Sequence, residues 1–253
     1  MLFKRLLVFI CPSLIILGLE SLFLNIELIY IIAPILFLII LISLKLLIKA
    51  KFYSRDFWEF FILPFLFFIT LSSVLFIVGS DWFRHILIFI FAFIFGLYLE
   101  NIFIFFYRPL QYQALSFENF FSFLNIIVFF LTVISLNAFG IFLNAPLYLA
   151  SIILIVVNSL LILQSFWANK IRNRLKLFYL LILNLIVLEL FWCINFLPAN
   201  FYVNSAIITI LFYFIWEIFK AKLNEKFEIK FIWRFALMTL FLLLLVIITS
   251  RWI

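Results

Sequence analysis

Two carboxylates, Glu100 and Glu189, stand deep inside long apolar runs of this sequence. Asn101 follows the first, and Asn125, Asn158 and Asn184 stand in similar surroundings. A charge at the centre of a bilayer costs about 3 kcal/mol or more, so such a residue normally faces protein or a water-filled cavity. The chemistry open to the two Glu residues is a proton or cation relay, or a polar patch that meets a substrate. The structural alternative is a hydrogen bond between helices, with the carboxyl protonated. For the Asn residues the structural reading is an amide that joins one helix to the next. Glu100 lies about two turns inside the cytoplasmic end of its run, and Lys45 and Arg234 about one turn inside theirs, at ~5.4 Å per turn. Long basic side chains reach across that difference. An ion pair of Glu100 with Lys45 or Arg234 is therefore expected. No basic residue comes as close in depth to Glu189, which predicts a protonated carboxyl or a neutral partner.

Other intramembrane chemistries need side chains that this sequence does not supply. A zinc protease needs two His on one helix face with a Glu between, and the one His is His85. A Ser nucleophile needs a positioned base. Phosphoalcohol transfer needs clustered carboxylates for Mg²⁺, and Asp56 and Asp81 stand far apart. Four scattered Gly build no phosphate loop, and Cys11 and Cys193 form no CxxC. The expectation is a protein that is not an enzyme and carries no cofactor or metal.

The elements that position these residues follow from composition. Of 253 residues, 70% are hydrophobic and 11% charged, and mean hydropathy is +1.39. Soluble domains run near ~45–50% apolar. A soluble enzyme, a nucleic-acid-binding domain and a disordered chain are excluded, and the formal charge of +7 has to be read loop by loop. The 40 Phe beside 4 Gly fit an AT-rich genome that fills lipid-facing positions with any apolar residue, so they do not by themselves indicate an aromatic site.

A span needs about 20 apolar residues. Nine are expected, near 6–24, 28–48, 57–78, 86–106, 120–138, 146–166, 177–196, 205–219 and 231–250. The first reads as an uncleaved signal anchor behind Lys4 and Arg5. With the N-terminus inside, 16 of the 18 Lys and Arg fall on the cytoplasmic side, leaving Arg84 and Arg251 outside. Fewer spans would scatter the later basic clusters over both faces. The expected fold is an all-α polytopic transmembrane helix bundle, a single membrane domain over 1–253. Its N-terminus is cytoplasmic and its C-terminus external, in a bacterial cytoplasmic membrane.

The odd-numbered spans from the third onward start near 57, 120, 177 and 231. Phe142, Leu143, Ala145, Tyr148 and Ser151 recur as Phe196, Leu197, Ala199, Tyr202 and Ser205 at one offset of 54. That pattern suggests a parallel repeat of helical hairpins, with chance in a biased composition as the alternative.

Between the fourth and fifth spans, Tyr107, Arg108, Gln111, Tyr112 and Gln113 form the least charged inner loop. It reads as a cytoplasmic docking surface or as an interfacial turn with Tyr at headgroup level. His85 beside Asp81 and Arg84 reads as an outer pH sensor or as a plain interfacial residue. Lys220–Lys230 reads as an anchor to anionic lipid of the inner leaflet. The favoured function is a structural or assembly subunit that contacts other membrane proteins or lipids, with no nucleic-acid partner. The alternative is a carrier or flippase for a lipid-like or small substrate that uses Glu100 and Glu189.

Overall fold

A computed structural model describes residues 2–24, 26–49, 51–108, 116–169, 175–223 and 229–250. Among them are nine α-helices long and apolar enough to cross a membrane, and no strand. The protein is an all-α polytopic membrane protein. The helices are α1 (Leu2–Leu24), α2 (Ile29–Leu47), α3 (Arg55–Ile77), α4 (Asp81–Tyr107) and α5 (Ser116–Phe142). They continue as α6 (Leu147–Ala168), α7 (Lys176–Asn195), α8 (Phe201–Leu223) and α9 (Ile229–Thr249). A 23-residue helix is about 34 Å long at 1.5 Å per residue, enough for a hydrocarbon core of ~30 Å.

The helix starts follow from local chemistry. Ser54 accepts from the Phe57 amide and Asp56 sits in the first turn of α3, where an acidic side chain complements the helix dipole. Asp81 does the same for α4. Asn144, in the turn between α5 and α6, has φ 51, a backbone conformation that Asn tolerates better than most residues.

The chain divides into two compact units, Met1–Phe120 and Phe121–Ile253, where the sequence suggested a single domain. In the first, α1 packs along α4 and α2, and α2 meets α3. Gly18 lets α1 and α2 approach, because a Cβ there would stand 2.6 Å from Leu36 Cδ2. Aromatic rings fill the α3–α4 contact. Phe67 and Phe91 lie 4.7 Å apart, and the Tyr98 hydroxyl donates to the Phe60 carbonyl. The start of α1 and the ends of α2 and α4 share one end of this unit. There the Lys4 ammonium donates to the Tyr107 hydroxyl at 2.6 Å, and Lys49 donates to the Phe106 carbonyl. At the other end His85 Nδ1 stands 2.8 Å from a Glu20 carboxylate oxygen.

In the second unit the sequence offset of 54 reappears as an offset between contacts. Asn125 on α5 donates to Ser165 on α6; 54 residues on, Tyr179 on α7 packs against Phe219 on α8. Ser151 donates to the Leu147 carbonyl, and Ser205 to the Phe201 carbonyl. The contacts between hairpins exchange partners. Asn137 on α5 donates to Ser205 on α8, while Trp192 on α7 donates to Ser151 on α6. Asn158 on α6 meets Asn184 on α7, and Phe212 on α8 stacks on Phe129 of α5, each within one residue of the offset. That reciprocity fits the parallel repeat of helical hairpins that the sequence offset suggests.

The basic residues give a direct test of orientation. Reporter fusions after Lys176 and Lys226 are expected to read cytoplasmic, and one after Ile253 external. A cytoplasmic C-terminus would overturn the assignment of sides.

Candidate functional site

Pro12 and Gly96 open a groove between α1 and α4. Pro12 lacks an amide hydrogen and so breaks the helical bond to the Val8 carbonyl. A Cβ on Gly96 would stand 3.3 Å from Pro12 Cγ, so the two backbones meet more closely than larger residues would allow. Beside that contact lies a cavity of about 460 Å³. Its walls are apolar apart from Ser13 and Glu100, and its rim carries the exposed rings of Phe9, Phe89 and Phe93. The Ser13 hydroxyl is held by the Phe9 carbonyl. Glu100 has one carboxylate oxygen, Oε2, that is buried without a hydrogen-bond partner among the described residues. A buried polar atom left unpaired costs about 1–3 kcal/mol. The groove thus joins an apolar surface open at its rim to one buried acceptor.

The expected ion pair of Glu100 with Lys45 is corrected by this geometry. Lys45 is exposed, and its ammonium lies 5.1 Å from the centre of the Phe52 ring. The reason is rotation about α2. Leu36, Ile40, Ser43, Leu44 and Leu47 form its buried stripe, and Lys45 comes one residue, or about 100°, past Leu44. The face that Lys45 takes on α2, which depth alone does not give, decides against the pair. Arg234 is exposed on α9 in the second unit. Asn101 turns its amide back to the Leu97 carbonyl of its own helix and does not join Glu100.

The other candidate residues divide between the units. Asn158 is fully buried and donates to Asn184, which in turn donates to Ser159. These amides tie α6 to α7. Glu189, on α7, is exposed and has no hydrogen-bond partner among the described residues, so the neutral partner expected for it is not found. Tyr107 is engaged: its hydroxyl receives Lys4, and the ammonium groups of Lys4 and Lys49 each lie 4.7 Å from its ring centre. Arg108 lies over the Phe103 ring. Gln111, Tyr112 and Gln113 lie outside the described residues.

Two pairs escaped the sequence reading. Glu59 is buried on α3 and meets Arg55 at 2.7 Å; the i,i+4 spacing was the available signal. His85 pairs with Glu20 rather than acting with Asp81, which Arg84 takes instead. Equal depth at the outer ends of the first and fourth spans could have suggested it.

A profile of the family described as Protein of unknown function (DUF5656) matches residues 11–249. The chain belongs to the DUF5656 family. The match includes Pro12, Gly96 and Glu100, and it spans both units of the DUF5656 chain, so the groove and the α5–α8 hairpins fall within one family region. No curated protein and no solved structure matches the chain.

Proposed function

We propose that this DUF5656 protein is a non-enzymatic assembly subunit that seats a transmembrane segment of another membrane protein in the α1–α4 groove. The observation that carries the reading is the apolar groove that ends at the unpaired Oε2 of Glu100. Helix association in lipid is driven by close packing and by hydrogen bonds between helices. A helix with an apolar face and one donor or cationic side chain satisfies both parts of the groove. The 16 basic residues assigned to one side support a seat in a bacterial cytoplasmic membrane on this reading, with anionic lipid of the inner leaflet against them.

One observation favours a second reading, a carrier or flippase for a lipid-like substrate. The groove opens along its exposed aromatic rim, which an acyl chain could enter from the bilayer. Glu189 does not line that groove, which removes one of the two carboxylates such a carrier was expected to use.

A photoactivatable amino acid at Phe93, on the rim, separates the two. Irradiation of intact membranes is expected to join the chain to one membrane protein of defined mass, and Glu100→Leu is expected to reduce that product at least tenfold. A product with lipid alone would promote the carrier. No product with either would overturn both readings.

A further inference from the structure

The turns that close the α5–α6 and α7–α8 hairpins frame a second cavity, of about 290 Å³, wholly within the second unit. It stands at the start of α8, whose Lys220 and Lys222 lie in the last turn some 30 Å away at ~1.5 Å per residue. Given the positive-inside assignment, this is the external end. It is independent of the α1–α4 groove.

Three amide side chains line it: Asn137, Asn195 and Asn204. Asn137 and Asn204 are only 6% and 5% exposed. The orientation of each amide is fixed by what its nitrogen does. Asn137 donates to the Ser205 hydroxyl, and that hydroxyl has already given its own hydrogen to the Phe201 carbonyl, so it can only accept. Asn195 donates to the Phe191 carbonyl. Asn204 donates to the Leu197 and Ala199 carbonyls. In all three the oxygen is the end left over. The oxygens of Asn137 and Asn204 are buried without a partner, and that of Asn195 has none among the described residues. Aromatic side chains of Phe191, Phe196 and Phe201 make up much of the remaining wall.

A set of acceptors beside aromatic rings calls for a donor. No carboxylate lines the cavity, and burying an ammonium without a counter-charge is costly. A neutral hydroxyl avoids that cost, and the C–H faces of a sugar ring pack on aromatic surface. The volume equals that of about ten waters at ~30 Å³ each, which suits one sugar or polyol ring and not a longer oligomer. We propose that this cavity binds a neutral polyhydroxylated group, either a free sugar or polyol or the same group on a lipid of the outer leaflet.

Gly140 supplies the test. It lines the cavity on α5, and a Cβ there would meet nothing nearer than the Ala145 carbonyl at 4.0 Å. Gly140→Leu therefore fills the cavity without removing a hydrogen bond, in a helix that tolerates Leu better than Gly. Asn195→Leu is the second variant, since it gives up only a bond to its own helix and one acceptor. The purified full chain is melted in phosphatidylcholine nanodiscs with glucose or myo-inositol added. A parallel arm uses nanodiscs that contain phosphatidylglycerol or a monoglucosyl lipid. A rise in Tm in at least one arm is expected, with the apparent Kd raised tenfold or more in Gly140→Leu and severalfold in Asn195→Leu. A rise with the soluble compounds assigns a free ligand, and a rise in the lipid arm alone assigns a headgroup. No rise in any arm, or a rise that both variants leave unchanged, overturns the proposal.

Discussion

Glu100→Leu is expected to make the protein more stable, by about 1–3 kcal/mol, while removing capture at the groove. The sign follows from the partner that is missing. Had Glu100 been paired with Lys45, its removal would have stranded a buried charge at a cost of about 3–5 kcal/mol. Lys45 instead lies over Phe52, and Glu100 Oε2 is buried with nothing to bond. Leu removes that penalty and also lowers the cost of placing the span in lipid. Glu100→Gln should fall between, because it removes the charge but keeps polar atoms. Reversible unfolding in mixed micelles reads the difference. A residue whose replacement stabilises the fold and abolishes binding is held there for the partner. A loss of stability on Glu100→Leu would mean that the carboxyl has a structural partner after all.

Phe129→Ala is expected to give a large loss, about 3 kcal/mol, and to loosen α5 from α8. The ring is fully buried and stacks on Phe212 at 4.0 Å between centroids. Phe→Ala in soluble cores costs about 3–5 kcal/mol. The lower end applies here because lipid tails are as apolar as the site the ring leaves, so mainly packing is lost. By the same standard Asn158→Ala is a smaller change, since bonds between membrane helices average about 0.6 kcal/mol. Aromatic packing is therefore expected to outweigh the amide contacts in the cohesion of this unit. Unfolding of Phe129→Ala, Phe212→Ala and the double variant checks this, with a coupling of about 0.5–1.5 kcal/mol expected between the rings. Asn158→Ala costing more than Phe129→Ala would reverse the ranking.

The spans were legible because runs of about 20 apolar residues have few alternatives to crossing a bilayer. Their ends were less so. The eighth run was expected over 205–219, but α8 covers Phe201–Leu223. Asn204, Glu217 and Lys220 interrupt hydropathy without interrupting the helix, and Lys220 and Lys222 suit its last turn. Rotation was not legible at all. A helix that is apolar nearly all round carries no stripe to show which face meets protein, so the direction of Lys45 could not be read. The repeat was legible as a suggestion, because five identities share one offset, and the contacts of α5–α8 keep that offset within one residue. The acceptors at Asn137 and Asn204 were not, since an amide reveals which end is free only once its neighbours are in place.

The exchange of partners between the two hairpins bears on how the chain is made. Synthesis delivers α5 and α6 before α7 and α8. Until then Asn137 lacks Ser205, Ser151 lacks Trp192 and Phe129 lacks Phe212. The α5–α6 hairpin enters the bilayer as half of a lock whose key is the hairpin that follows it. A ribosome stalled between the two hairpins would hold one that is inserted but open on one face, and chains of that length should be the ones that membrane quality-control proteases remove first.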